Sequence, residues 1–97
     1  MPRLSLDASV TWSPDVISRE VEGELVLLDL ESATYFGLNQ VGSRIWALLG
    51  DLGSLRKVCE VLEREYTAPR AQLERDVLAL ARELRDKGLV RVASDER

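Results

Sequence analysis

Residues 24–50 read ELVLLDLESATYFGLNQVGSRIWALLG, and the spacing of apolar residues changes inside this stretch, at Leu38 and Asn39. Before this point the apolar residues come in short runs, as they do in β-strands. After it they recur every three or four positions, which is the spacing of one face of a helix. The stretch therefore predicts a chain with a strand-rich first half and a helical second half, an α+β protein.

The first half predicts a small antiparallel meander. Its strand-forming runs cover residues 10–12, 16–21, 24–30 and 33–37. Glu22 and Gly23 are typical of a tight hairpin turn, and Glu31 with Ser32 indicates another turn. So small a sheet cannot close into a barrel, so at least one edge keeps unpaired backbone N–H and C=O groups. The run 33–37 lacks the Pro, Lys or Arg that protect an edge, so it could accept an incoming peptide strand.

The second half predicts three helices within about residues 39–87, followed by an extended tail over 89–97. The expected boundary residues are the N-caps Asn39 and Ser54, Pro69 in the first turn of the third helix, Gly50 at the end of the first helix and Gly88 at the end of the third. No linker or repeat interrupts the chain. We expect a single domain over residues 1–97.

The composition excludes several classes of enzyme. The chain has 97 residues, no histidine and one cysteine. Without histidine there is no Ser-His-Asp triad, Cys-His dyad or HExxH zinc site, and one cysteine cannot form an internal disulfide or a cysteine-rich metal site. So short a chain also rarely forms a deep pocket. We therefore expect a protein that is not an enzyme and uses no metal or other cofactor.

Two residue types that often carry function are assigned to packing. Cys59 lies on the apolar stripe of the second predicted helix, and no Lys, Arg or His close in sequence on that face would lower its pKa. We expect it to be buried. Of the two tryptophans, Trp46 is predicted to anchor the core, and Trp12 to lie at the surface or at a sheet edge.

The charge of the chain disfavours nucleic acid as a partner. The formal net charge is −4, and residues 1–38 hold seven carboxylates against two arginines. The third predicted helix mixes five cationic with four anionic residues, unlike a helix that reads DNA. A winged-helix DNA-binding regulator is thus the less favoured alternative. A peptide that is basic along the strand half is the more compatible partner.

Hydropathy predicts a protein without a membrane segment. No run approaches the 18 or so apolar residues that cross a bilayer, and residues 1–10 lack the apolar core of a signal peptide. We expect a cytoplasmic protein, in which a single reduced cysteine is ordinary.

The third predicted helix has a wider apolar surface than one contact requires. Leu73, Val77, Leu80 and Leu84 form one stripe, with Leu78 and Ala81 beside it. The surface that contains Leu78 and Ala81 has two possible roles. It either covers the strand meander or, where the helix and the last strand diverge, lines an apolar groove for a partner. Both interpretations can hold along different parts of the helix.

A family resemblance follows from motifs spread over about residues 12–92. In chain order these are LLDLES (27–32), YFGLN (35–39), VG (41–42), IW (45–46), LL (48–49), DV (76–77), Leu84 and KGL (87–89). Each motif alone is weak, but their order and spacing together resemble the PqqD family. The resemblance implies a winged-helix-turn-helix-like fold, with a three-stranded antiparallel sheet followed by three helices.

The resemblance also implies a function. Members of the family are recognition elements for ribosomally synthesised and post-translationally modified peptides. They bind the leader segment of a precursor as a strand added to their third strand, against their third helix, and present the core segment to a modifying enzyme or protease. The lasso-peptide type, which works with a separate leader peptidase, is favoured here. The alternative is the PQQ type, which presents its precursor to a radical enzyme.

Carried onto this sequence, the resemblance assigns the peptide-binding residues to the third strand and third helix. They are Ala33, Thr34, Tyr35, Phe36 and Gly37 on the strand, Asp76, Val77, Leu80, Glu83 and Leu84 on the helix, and Glu31 in the turn. Val77, Leu80 and Tyr35 are expected to support an aromatic or proline residue of the leader. Asp76, Glu83 and Glu31 are expected to pair with its cations, and the protein is expected to be a monomer or weak homodimer.

Overall fold

The computed structural model describes residues 4–93, which form five strands and three helices. They are β1 (Ser9–Trp12), β2 (Val16–Val21), β3 (Glu24–Asp29), β4 (Thr34–Leu38), α1 (Gln40–Leu52), α2 (Leu55–Glu65), α3 (Arg70–Asp86) and β5 (Val90–Ala93). Strands β2, β3 and β4 form a three-stranded antiparallel sheet, and the helices follow it. The α+β, winged-helix-turn-helix-like fold predicted from the sequence is confirmed.

The β2–β3 hairpin has the turn that the sequence predicts. Val21 pairs with Glu24, so the loop consists of two residues. These are Glu22 and Gly23, with φ angles of 53° and 85°. Two successive positive φ values are what a type I′ turn requires, and this turn matches the twist of the strands that it joins.

The turn between β3 and β4 is longer than predicted, because Asp29 organises it. Its Oδ1 accepts a hydrogen bond from the Glu31 N–H (3.3 Å), and its Oδ2 accepts one from the Ser32 hydroxyl (2.8 Å). The Ala33 N–H donates to the Asp29 carbonyl at 2.8 Å, and Ala33 has a φ of 59°. A left-handed residue cannot continue a strand, so the assignment of Ala33 to the strand is wrong, and β4 begins at Thr34.

A second, two-stranded sheet was not predicted. The tail expected to be merely extended forms β5, which pairs antiparallel with β1 from Ser9↔Ala93 to Trp12↔Val90. Residues 94–97 of the predicted tail, like residues 1–3, lie outside the described residues. The pairing joins the two ends of the described chain over the helical layer.

The two tryptophans pack against each other. Trp46 is buried and Trp12 is 42% exposed, as predicted, and their rings stack with centroids 4.8 Å apart. The Trp12 Nε1–H donates a hydrogen bond to the Trp46 carbonyl at 3.0 Å. A methyl group at Gly50 would overlap the Trp12 ring. Gly50 is therefore needed inside α1 for this contact. The prediction that Gly50 ends the helix is wrong, because α1 continues to Leu52.

The predicted helix boundaries are otherwise close to the observed ones. The Asn39 side chain accepts a hydrogen bond from the Gly42 N–H (2.8 Å), and the Ser54 hydroxyl accepts one from the Lys57 N–H (3.3 Å). Both N-caps are therefore confirmed. Helix α1 ends at Gly53 (φ 67°) instead of Gly50, and Gly88 follows α3 with a φ of 77°, as expected of a residue beyond a helix C-cap.

The core lies between the helices and the inner face of the strands. Its fully buried large side chains include Leu27, Leu49, Leu55, Leu62, Leu84 and Leu89. Cys59 is also fully buried, and this burial raises the pKa of its thiol. The prediction that Cys59 is a packing residue is confirmed. Among residues 4–93, none of the helices is both long enough and apolar enough to span a lipid bilayer.

Candidate functional site

Strand β4 is an outer strand with a free edge. Within residues 4–93 it has a hydrogen-bonded neighbour, β3, on one side only. The Ser43 hydroxyl fixes the C-terminal end of β4. This hydroxyl accepts a hydrogen bond from the Leu25 N–H (3.1 Å) and donates one to the Leu38 carbonyl (3.3 Å). Leu25 and Leu38 are paired across the two strands. A hydroxyl on α1 therefore ties the last pair of the β3–β4 ladder to the helical layer.

A cavity of about 470 Å³ separates β4 from α3. The start of α1 forms its floor. The lining residues are Phe36, Gly37, Leu38, Asn39, Val41, Gly42 and Ile45 from β4 and α1, and Asp76, Ala79, Leu80 and Glu83 from α3. The cavity thus has an apolar floor and a helical wall that carries two carboxylates. Below, "the groove" means this cavity, which lies beside the free edge of β4.

The structure brings five of the predicted peptide-binding residues into the groove. Phe36 and Gly37 lie on the strand side, and Asp76, Leu80 and Glu83 lie on the helix side. Phe36 and Leu80 are half-buried and pack against the core. Their remaining exposed surface is available to a partner side chain.

Three predicted residues lie elsewhere. Val77 and Leu84 are fully buried, because they occupy the face of α3 that packs into the core. Tyr35 is 69% exposed and lies directly opposite Leu28, in the cross-strand row that also contains Ile17. Neighbouring residues of a strand point to opposite faces, so Tyr35 points away from the groove into which Phe36 points. The expected support of a leader aromatic by Val77 and Tyr35 is therefore corrected, and only Leu80 remains in place.

The turn residues also lie outside the groove. Glu31 lines a separate cavity of about 180 Å³, which it shares with Asp15, Asp29 and Arg91. Thr34 is the first residue of β4, and its hydroxyl lies 2.7 Å from that of Ser32. Ala33 belongs to the turn, as described above. These three residues lie in the turn before β4 or at the first position of β4, and they do not line the groove.

Six lining residues were not among those predicted: Leu38, Asn39, Val41, Gly42, Ile45 and Ala79. Leu38 and Ile45 are buried core residues that also line the cavity. A signal for Ala79 was present in the sequence. It lies three residues after Asp76 and four before Glu83, a spacing that places all three on one helix face. Its small side chain leaves space in the wall between the two carboxylates.

In the described part of the chain, several helix carboxylates are paired with arginines, but the two groove carboxylates are not. Glu65 pairs with Arg44, and both Glu63 and Glu74 pair with Arg70. Asp76 and Glu83 are both exposed, and within residues 4–93 they belong to no ion pair. At one end of the groove the Lys87 ammonium lies 5.7 Å from the centre of the Phe36 ring. This cation therefore contacts the strand side of the groove.

The profile of one protein family matches the part of the chain that contains the groove. Residues 24–90 match the family described as "Coenzyme PQQ synthesis protein D (PqqD)". The chain belongs to the PqqD family. The matched part runs from the start of β3 to the start of β5, so it includes every element that lines the groove. The family predicted from the motifs is confirmed, and the PqqD-family match covers more than half of the chain.

Two solved structures resemble this PqqD-family chain closely. The structure of TbiB1 in complex with the TbiA(beta) leader peptide is 38% identical, with a TM-score of 0.80, and the match covers 88% of this chain and 99% of that one. A lasso peptide synthetase B1 complexed with the leader peptide is 30% identical, with a TM-score of 0.78 and coverages of 86% and 98%. No curated protein matches the chain in sequence.

Proposed function

We propose that this chain is a recognition element that binds the leader segment of a ribosomally synthesised precursor peptide. The leader lies in the groove as an extended strand added to the free edge of β4. One observation carries the proposal: the groove lies beside an unpaired strand edge, in a PqqD-family chain that resembles two solved structures, each complexed with a leader peptide.

Strand addition separates affinity from specificity. Each backbone hydrogen bond to β4 contributes about 1 kcal/mol net and depends little on the leader sequence. Side chains of an extended leader alternate in direction, so every second one points into the groove. Apolar leader residues rest on Phe36, Leu80 and the floor, and the groove distinguishes leaders by the size and charge of these side chains.

The bound precursor is delivered to a separate enzyme. Of the two pathways compatible with the family, the lasso-peptide pathway is favoured, because one relative is itself described as a lasso peptide synthetase B1. In this role the chain performs no chemistry and needs no cofactor. It raises the local concentration of the precursor at a leader peptidase or other modifying enzyme in the cytoplasm, where ribosomes make the precursor.

The substitution Leu80→Glu tests the groove. Leu80 is half-buried in the groove wall, so the fold tolerates a glutamate at this position. Its carboxylate would lose water when an apolar leader side chain binds against it, and this loss weakens binding. We expect the affinity of this variant for a fluorescein-labelled leader peptide that the wild type binds to fall at least thirtyfold in a fluorescence polarisation titration. Val77→Asp is unsuitable for this test, because Val77 is fully buried and its replacement would unfold the domain.

The matched control is Leu52→Glu, the same substitution on a partly exposed leucine of α1 that does not line the groove. It is expected to bind the leader like the wild type. Circular dichroism checks that both variants are folded. Equal affinities of the wild type and a folded Leu80→Glu variant would exclude the groove as the leader site.

A further inference from the structure

We propose that the groove selects leaders by a pair of cationic residues, four positions apart, that flank an apolar residue. Asp76 and Glu83 form ion pairs with the two leader cations. The apolar leader side chain between these cations binds in the space at Ala79 and Leu80. The inference rests on the proposed function and specifies the chemical class of leader that the same site takes.

The first observation is the lack of intramolecular partners for these carboxylates. Asp76 and Glu83 line the groove and belong to no ion pair among residues 4–93, whereas Glu74 on the same helix pairs with Arg70. Arg75 and Arg82 each precede one of the groove carboxylates by one position, about 100° around the helix, and neither lines the groove. The groove therefore presents two carboxylates that no ion pair within residues 4–93 holds.

The second observation is the spacing of the two carboxylates. They are seven residues apart on α3, which corresponds to about 10.5 Å along the helix axis at 1.5 Å per residue. An extended leader advances about 3.3 Å per residue, so this distance equals about three leader positions. Side chains that face the groove are two or four positions apart, and the long stems of Lys and Arg span the difference. Two cations four positions apart therefore both face the groove and reach the two carboxylates when the leader runs along α3.

The third observation is the small apolar surface between the carboxylates. Ala79 and Leu80 lie between them along the helix, and Val41 and Ile45 lie opposite on α1. An alanine in the wall leaves room for a branched or aromatic side chain. The leader residue between the two cations is therefore apolar, and its burial contributes most of the side-chain affinity.

Lys87 limits the cationic pattern to two positions. It follows Glu83 by one helical turn, and its ammonium lies over Phe36 at the end of the groove. A third cation in the leader would meet this charge. The groove thus distinguishes a spaced cationic pair from a general polycation, which would be repelled at the Lys87 end.

Selection from a random peptide library tests the inference without a known leader. An mRNA-displayed library of random 12-residue peptides is selected on the immobilised wild type and on the double variant Asp76→Lys/Glu83→Lys. The control is Asp51→Lys/Glu60→Lys, which changes the net charge equally at two exposed carboxylates outside the groove. Enriched peptides are then titrated by fluorescence polarisation at low and high salt.

The wild type and the control are expected to enrich peptides with two Lys or Arg residues four positions apart around an apolar residue. The Asp76→Lys/Glu83→Lys variant is expected not to enrich peptides with this pattern. Peptides enriched on the wild type are expected to bind this variant about tenfold more weakly than they bind the wild type at low salt, with a smaller difference at high salt.

Peptides that bind the wild type without the cationic pair would overturn this inference and leave leader binding intact. So would an equal loss of affinity in the control variant, which would indicate an effect of net charge. If no peptide is enriched on any of the proteins, the proposed function itself is contradicted, and the inference falls with it.

Discussion

Asp29 fixes the start of the strand on which the proposed site is built. Asp29 is only 8% exposed, and its carboxylate accepts hydrogen bonds from the Glu31 N–H and the Ser32 hydroxyl. These contacts hold the turn in which Ala33 takes its left-handed conformation, directly before Thr34 and β4. One buried carboxylate thereby determines where the binding edge begins.

Replacing Asp29 with alanine is expected to destabilise the protein by about 1–2 kcal/mol, because two hydrogen bonds to this side chain are lost. Urea unfolding followed by circular dichroism measures the change. Asp29→Asn keeps the acceptor at Oδ1 and is expected to lose less than half as much. Equal stability of Asp29→Ala and the wild type would show that the turn does not depend on this side chain.

At this scale, the sequence allowed some residue roles to be predicted and not others. Asn39 and Ser54 were recognised as caps because a cap depends on the few residues that follow it. Val77 and Ala79 were harder to distinguish, because both lie on partly apolar stripes of α3. Only packing against the other elements shows that Val77 faces the core and Ala79 the groove.

The helical layer is joined at its surface by an ion pair between two elements. Arg44 on α1 donates through Nε (2.9 Å) and Nη2 to the two carboxylate oxygens of Glu65, the last residue of α2. The hydrogen bonds with Arg44 lower the pKa of Glu65 below its ordinary value. Folding therefore favours the ionised carboxylate. Stability from this pair is present above the pKa of the unfolded state and is lost as the pH falls through the lower pKa of the folded state.

Glu65→Gln is therefore expected to be less stable than the wild type at neutral pH, and the difference is expected to shrink as the pH falls below about 4. Urea midpoints at pH values on both sides of this window measure the effect. Glu60→Gln removes an exposed carboxylate outside the ion pairs of the described residues and serves as the control. A difference between Glu65→Gln and wild type that stays constant with pH would contradict a role for the ionised pair.

At the element scale, local signals predicted more than distant ones could. The three helices and the β2–β3 hairpin follow from periodicity, caps and a two-residue turn, which are all properties of adjacent residues. The pairing of β1 with β5 joins Ser9 to Ala93, residues at opposite ends of the described chain. Neither strand alone specifies its partner, so this sheet was missed, and the residues of β5 were expected only to be extended.

Across the whole molecule, the location of charge changed the interpretation of the acidic composition. The seven carboxylates of residues 1–38 suggested a basic partner along the strand half. None of those seven lines the groove, where the negative charge comes from Asp76 and Glu83 on α3. The preference for a cationic peptide is retained, but its source is the helix wall. Net charge by itself could not give this location, because it depends on how α3 is rotated against the sheet.

The central claim is that a leader peptide extends the sheet at β4. Amide hydrogen exchange measured by NMR, with and without saturating leader, tests it directly, because β2 is the other outer strand of the same sheet and provides an internal comparison. An added strand bonds to every second residue of its neighbour. We predict that the leader slows exchange at alternate amides of β4 and leaves those of β2 unchanged. Protection of β2 instead of β4, or of neither strand in the saturated complex, would contradict the account.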